Sequence, residues 1–461
     1  MRLISGVMLM LITAAAMAQP APDTLWTKRY GGTHSDRIRD LQQTSDGGYI
    51  LAGYSLSYSP ETCYWVLRTD DRGDTLWTRV FGPMDDTYTP HIRQTADGGF
   101  IMAATTTTAN HGYDILVLRL DDGGDTLWTR TFGGPSADYP SAIEPVTGGG
   151  FVVAGLTGSY GAGDMDIYLL RISDSGDSLW SQTYGGAWRD EAIAVHETAD
   201  HGFALAGNTS PTGHDMGFYL GKTDSLGVMQ WQRSYGPSSE ESLGDMIVTR
   251  DGGYAFTGIT SFGVPSNILV RTNSFGDTLW TNRWGTDASF EPRNVMEDVD
   301  GSFVVGGHTG ALGGEHFCLT KVSAQGLMIW QHIYYTGSSH DLCFVMRPTS
   351  DGGFLLGGSS WFTDTPSQDA RLVKLSSICG APLAPQSVAI GRGDGTIHLF
   401  WSAVTESTEG CTGLVPEYRV FRSDQADGAF SLIGTTTTLS YEDSIATGED
   451  ARFYRVTAVS P

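Results

Sequence analysis

Apolar and polar positions along residues 24–375 fall into short runs separated by turn-forming clusters, and no run keeps a helical period for ten residues. The second stretch shows the pattern. Residues 88–95 are mixed, residues 96–98 form an Asp-Gly turn, and residues 100–105 (FIMAAT) are apolar throughout. Residues 113–120 (YDILVLRL) follow, then a turn at 121–125 and the alternating run TLWTRTF at 126–132. Each such run reads as a strand, and the Asp-Gly turn between two of them predicts a type I′ hairpin.

The runs repeat. Trp falls at 26, 77, 128, 180, 231, 280 and 330, close to every fifty residues. Asp46-Gly47-Gly48 returns at Asp97, Asp200, Asp251, Asp300 and Asp351 with small variations, and Thr147-Gly148-Gly149 takes the third place. A cation keeps the same register at Arg68, Arg119, Arg171, Lys222, Arg271, Lys321 and Lys374. Four short antiparallel strands per repeat, arranged radially, describe propeller blades. The second strand of each blade is apolar on both faces, as a sheet packed between two others requires. Most carry a small pair near the end, such as Ala103-Ala104 and Gly357-Gly358, where wedge-shaped sheets crowd.

Counting the parts predicts how the ring closes. The first Trp strand precedes any blade, and the last blade has no Trp strand after it. The expected fold is therefore all-β: a seven-bladed propeller over residues 23–376, with the N-terminal strand as the outer strand of blade seven. Closure removes two sheet edges that would invite aggregation. The combination of DGGY-I-LAG with LVLRLDDGGDTLW resembles the repeats of bacterial secreted β-propeller proteins of unassigned function.

Two flanking segments differ. Residues 1–18 combine Arg2, an apolar core and Ala16-Met17-Ala18, which predicts a cleaved signal peptide and a secreted or cell-surface protein. Residues 377–385, rich in Pro and Ala, read as a linker. Residues 386–461 hold short alternating strands around Trp401 and resemble a fibronectin type III domain, a small β-sandwich. The resemblance places Tyr454 at the corner tyrosine and calls for a seventh strand after Val459; either the domain lacks that strand or the sequence is incomplete. Of the five cysteines, Cys379 and Cys411 are the candidates for a disulfide; five buried thiols are the alternative.

Charge then narrows the partners. The chain carries 28 Lys+Arg against 52 Asp+Glu, a net −24, which disfavours nucleic acid because phosphates would meet an acidic surface. No apolar stretch of about twenty residues follows the N-terminus, so no transmembrane helix is expected.

Asp36, Asp86, Asp138, Asp190, Glu241, Glu291 and Asp341 each stand at the opening of an inner strand. On a closed ring they would circle one mouth of the channel and favour a hard cation such as calcium. The other reading is that each accepts hydrogen bonds from a neighbouring turn. The repeated cations read as intrablade ion pairs with turn acids such as Asp70 and Asp121. Loops on one face carry Tyr88, Tyr113, Tyr139, Trp188, Phe290 and Trp361, which suit stacking on sugar rings or a protein partner. No HExxH, GxSxG or P-loop occurs, and no cofactor is required. The expectation is non-catalytic recognition of an extracellular glycan or protein. A carbohydrate-active enzyme with its site at the channel mouth, or a passive surface spacer, are the alternatives.

Overall fold

The computed structural model describes residues 21–378 apart from 60, 83–88, 109–111, 211–212, 214–215, 237–240, 261–265, 286–289, 311–313, 339 and 363–366. Beyond 378 it describes 388–393, 396–401, 417–423, 431–436, 438–444 and 453–459. The proposed signal peptide and the Cys379–Cys411 pair lie outside the described residues. The chain divides into two compact units, one ending at Ser377 and one beginning at Ile378.

The first unit is a ring of seven four-stranded antiparallel sheets. Blade 1 comprises Asp36–Gln43, Tyr49–Ser55, Cys63–Thr69 and Thr75–Phe81, ordered from the axis outward. The inner strands of blades 2 to 7 are His91–Gln94, Asp138–Pro145, Asp190–Glu197, Ser242–Val248, Phe290–Glu297 and His340–Pro348. Blade 7 is completed by the first strand of the chain. Thr24–Tyr30 pairs antiparallel with Gln368–Leu375, Trp26 opposite Lys374 and Tyr30 opposite Ala370. Asp23 and Ser376 exchange two further hydrogen bonds, and Arg29 donates to Asp369 at 2.5 Å.

The repeat markers each build one joint. The Trp of an outer strand lies on the aromatic that opens the second strand of the next blade, with ring centroids 5.9 Å apart for Trp77 and Phe100 and 5.7 Å for Trp280 and Phe303. The turn glycine of that next blade faces the same indole. Gly73, Gly124, Gly176, Gly227, Gly276 and Gly326 all have φ near +80°, and a Cβ on Gly124 would sit 2.7 Å from Trp77. Trp26 takes this place against Gly73, so the first strand of the chain contacts blade 1 as every other outer strand contacts its successor.

The Asp-Gly turn is not the type I′ hairpin expected. Gly47 has φ +90° while Ser45 and Asp46 keep negative φ, so a type I turn is followed by one left-handed glycine. His201 occupies that glycine position in blade 4 and is the only non-glycine with positive φ among the described residues. The aspartate of this turn, rather than Asp70 or Asp121, pairs with the repeated cation: Arg68 with Asp46, Arg119 with Asp97, Arg271 with Asp251 and Lys374 with Asp351. Blade 3 lacks the aspartate, and Arg171 donates to the Gly149 carbonyl instead.

The C-terminal unit has two three-stranded sheets. Val388–Gly393, Thr396–Trp401 and Ser440–Ser444 form one; Ser431–Thr436, Glu417–Ser423 and Phe453–Val459 form the other. Both contribute to one core of Leu399, Trp401, Tyr418, Val420 and Val456, in which the Trp401 and Tyr418 rings are 5.3 Å apart.

The closing strand pairs with blade 7 and packs on blade 1 as the other outer strands do. Deleting residues 19–31 is expected to lower the melting temperature sharply, and Trp26→Ala to cost about 2 kcal/mol for a half-buried indole. Thermal and urea melts check both; an unchanged midpoint in the deletion contradicts closure.

Candidate functional site

Six inner strands share one irregularity. The pairing register slips between Ile38 and Asp40, Pro140 and Ala142, Ala192 and Ala194, Leu243 and Asp245, Pro292 and Asn294, and Cys343 and Val345. Each slip is a β-bulge that leaves one residue unpaired. These residues are Arg39, Ser141, Ile193, Gly244, Arg293 and Phe344, and all six line a central channel of about 1060 Å³. The channel runs from Arg189 and Glu191 near the loop face to Gln43, Arg250 and Ser350 at the opposite turns.

One side of the channel holds a closed charge network. Asp40, fully buried, accepts Arg93 at 2.5 Å and Arg347 at 3.0 Å, and His91 stands 3.9 Å away. Arg93 also bonds Glu144 at 2.9 Å. Burial opposes ionisation of Asp40, but Arg93, Arg347 and His91 outweigh it and hold the carboxyl below its usual range. Asp40 and Glu144 keep Arg93 above its ordinary value against the burial that would lower it. Burial pushes the His91 imidazole down to about 4, overcoming the pull of Asp40.

Five of the strand-opening acids, Asp36, Asp138, Asp190, Glu241 and Asp341, serve as clasps away from the channel wall. Asp36 accepts the Gly32 amide at 2.9 Å together with the hydroxyls of Ser55 and Ser57. Asp138 repeats this with Gly134, Thr157 and Ser159, and Asp190 with Gly186 and Thr209. Asp341 holds the hydroxyls of Thr336, Ser338 and Ser360. Glu241 takes the Phe218 amide at 3.3 Å and the Thr260 hydroxyl at 3.2 Å, and burial pushes its carboxyl up.

Glu291 stands one residue further along its strand. Phe290 pairs with Thr309 where Asp36 pairs with Ser55, and Glu291 meets Arg293 at 2.5 Å and His308 at 3.5 Å. Asp86 and Tyr88 lie outside the described residues.

The loop aromatics divide. Phe290 is 3% exposed and Tyr139 7%, and Tyr113 packs on Tyr139 with centroids 5.6 Å apart. Trp188 and Trp361 stay open at 49% and 37%. Trp188 lies under Gly213, and Trp361 meets the His340 ring edge-on at 5.7 Å. The bulge residues and the Asp40 network escaped the sequence reading. Their trace is a spacing of three, not two, between apolar positions such as Ile38 and Leu41, or Leu243 and Met246.

No protein-family model matches the chain, and no curated protein matches it. Among solved structures, puromycin hydrolase in its S511A form complexed with PGG is similar over 83% of this chain and 61% of its own, at 9% identity and TM-score 0.51, a likeness of fold alone. A protein of unknown function from Dyadobacter fermentans is 11% identical over 78% of this chain and all of its own, TM-score 0.46. YCF48 bound to D1 peptide is 12% identical over 80% of this chain and all of its own, TM-score 0.44.

The buried imidazole predicts acid sensitivity. An unfolded His takes up its proton near 6.5, the folded one near 4. The folded state therefore keeps this stabilisation above pH 6.5 and loses it as pH falls towards 4, on the order of 3 kcal/mol for one such group. Urea midpoints measured from pH 7 to pH 4 should fall less steeply in His91→Gln than in the parent; equal slopes contradict the assignment.

Proposed function

We propose that this chain is an exported, non-catalytic recognition protein that binds an extracellular carbohydrate or protein ligand on the loop face of its propeller. The observation that carries this reading is the pair of open indoles, Trp188 and Trp361, on a face that leads into a wide channel. Exposed tryptophans offer flat apolar surface to sugar rings or to aliphatic side chains. A channel of about 1060 Å³ is large enough for a small ligand or for one residue of a larger one, which favours recognition over a passive spacer.

The carboxylates on and beside the inner strands also support binding over hydrolysis. A general acid near neutral pH needs a raised pKa, and Asp40 is held low by its guanidinium partners. Glu241 is raised, but both its oxygens are engaged in a blade clasp. With Asp36, Asp138, Asp190, Glu241 and Asp341 engaged by hydroxyls and amides, calcium is expected to leave the melting temperature unchanged. The fibronectin-like reading of the C-terminal unit draws support from its two sheets and its Trp401–Tyr418 core.

A glycan array probed with residues 19–461, repeated with Trp188→Ala and Trp361→Ala, tests the proposal. At least one variant is expected to lose tenfold or more in affinity, about the contribution of one stacked ring. Full binding in the double variant removes the loop face from recognition, and a failure of both the array and a bacterial-surface binding assay removes the function.

A further inference from the structure

We propose that the loop-side half of the channel holds an oxyanion site, with Arg39 and Arg293 as its ligating side chains and Arg37 behind them, for a carboxylate, sulfate or phosphate group. Arg39 and Arg293 are the bulge residues of blades 1 and 6. They flank Phe344, the bulge residue of blade 7, so three consecutive bulge positions form one wall. The Arg39 guanidinium lies 4.0 Å over the Phe344 ring and 5.4 Å from the Tyr54 centroid, and it reaches the Tyr54 hydroxyl at 3.4 Å. Arg37 shares the Tyr54 ring at 5.5 Å.

Charge here is unbalanced. Among the described residues neither Arg37 nor Arg39 enters an ion pair, and the buried Nε atoms of Arg37, Arg39 and Arg293 have no hydrogen-bond partner. Glu291, 2.5 Å from Arg293, is the one carboxylate paired to the group among the described residues, and it also faces His308. This contrasts with the Asp40 side of the same channel, where each guanidinium meets a carboxylate. It contrasts more sharply with a chain of net −24. Burial pushes Arg39 below its ordinary value, and Arg37 and Arg293 push the same way against the help of Tyr54.

Guanidiniums stacked on aromatic faces keep their N–H edges free, and those edges match the geometry of a planar or tetrahedral oxyanion. Like charges crowded on one wall repel, and a bound anion offsets that repulsion where water does so only in part. The site lies in the channel wall, not among the loop aromatics, so it stands independently of the recognition reading.

The test uses residues 19–461 and three probes, sodium sulfate, sodium phosphate and glucuronate, titrated at constant ionic strength against chloride. The melting temperature of the parent is expected to rise along a single-site saturation curve with at least one probe, and the tightest probe identifies the group. Arg39→Gln and Arg293→Gln should each weaken that binding about tenfold or more. In chloride alone Arg39→Gln should melt at or above the parent, because a repulsive charge is gone. Arg130→Gln, an exposed outer-strand control, should keep the anion response. A parent without any saturable shift, or an Arg39→Gln chain that binds as the parent does, overturns the proposal. So does an Arg39→Gln chain that melts below the parent in chloride while the parent ignores all three probes, since the guanidinium is then a packing element.

Discussion

The ring stands on the docking of its own first strand. A wedge-shaped sheet is stable here only with a neighbour on each face, and an open ring would leave blades 1 and 7 each with one apolar face uncovered. Thr24–Tyr30 removes that problem by pairing with Gln368–Leu375 and laying Trp26 against blade 1. The contacts that cross the seam then form across more than three hundred residues of sequence. Arg347 meets Asp40, the Ser350 amide meets Gln43, and Arg39 covers Phe344. Both halves of the channel chemistry, the Asp40 network and the Arg39 wall, include a residue from each side of the seam, Arg347 in the first and Phe344 in the second.

A repeat protein separates scaffold from function by what it repeats. The turn aspartate with its cation, the outer-strand Trp and the left-handed turn glycine recur nearly unchanged, and each makes the same joint wherever it occurs. The strand-opening acids behave the same way: Asp36, Asp138 and Asp190 hold a turn amide and a hydroxyl in equivalent geometry. The bulge positions do the opposite. Arg, Ser, Ile, Gly, Arg and Phe occupy one structural place in six blades, so the channel is polar and cationic on one arc and apolar or open on another. Asymmetry at equivalent positions is what binding one particular ligand requires.

The sequence was most legible where the repeat is strict. Tryptophans fifty residues apart and an unpartnered first copy were enough to predict seven blades and the closing strand. It was least legible where one residue is added to a strand. A bulge shifts side-chain parity by one, so counting alternation from Asp36 places the wrong residues on the axis. The acids at strand openings left two readings open, a channel ring and turn acceptors, because their place in the sequence does not say which way they face; Asp36, Asp138 and Asp190 take turn amides and hydroxyls. The Asp-Gly turn misled for a related reason: the dipeptide is shared by two turn types, and Asp46 is held at negative φ by its hydrogen bonds from Thr44 and Gly48. Phe290 and Tyr139 read as loop aromatics, yet both fall on the buried parity of their inner strands.

Hydrogen exchange of the backbone amides in Thr24–Tyr30 and Gln368–Leu375 tests the closure most directly. If the first strand is an integral member of blade 7, the amides it donates to Gln368–Leu375 exchange only through global unfolding, with the same protection and denaturant dependence as the corresponding amides of the other outer strands. Exchange of the first strand through local fraying, while Gln368–Leu375 and the rest of the ring stay protected, contradicts the account.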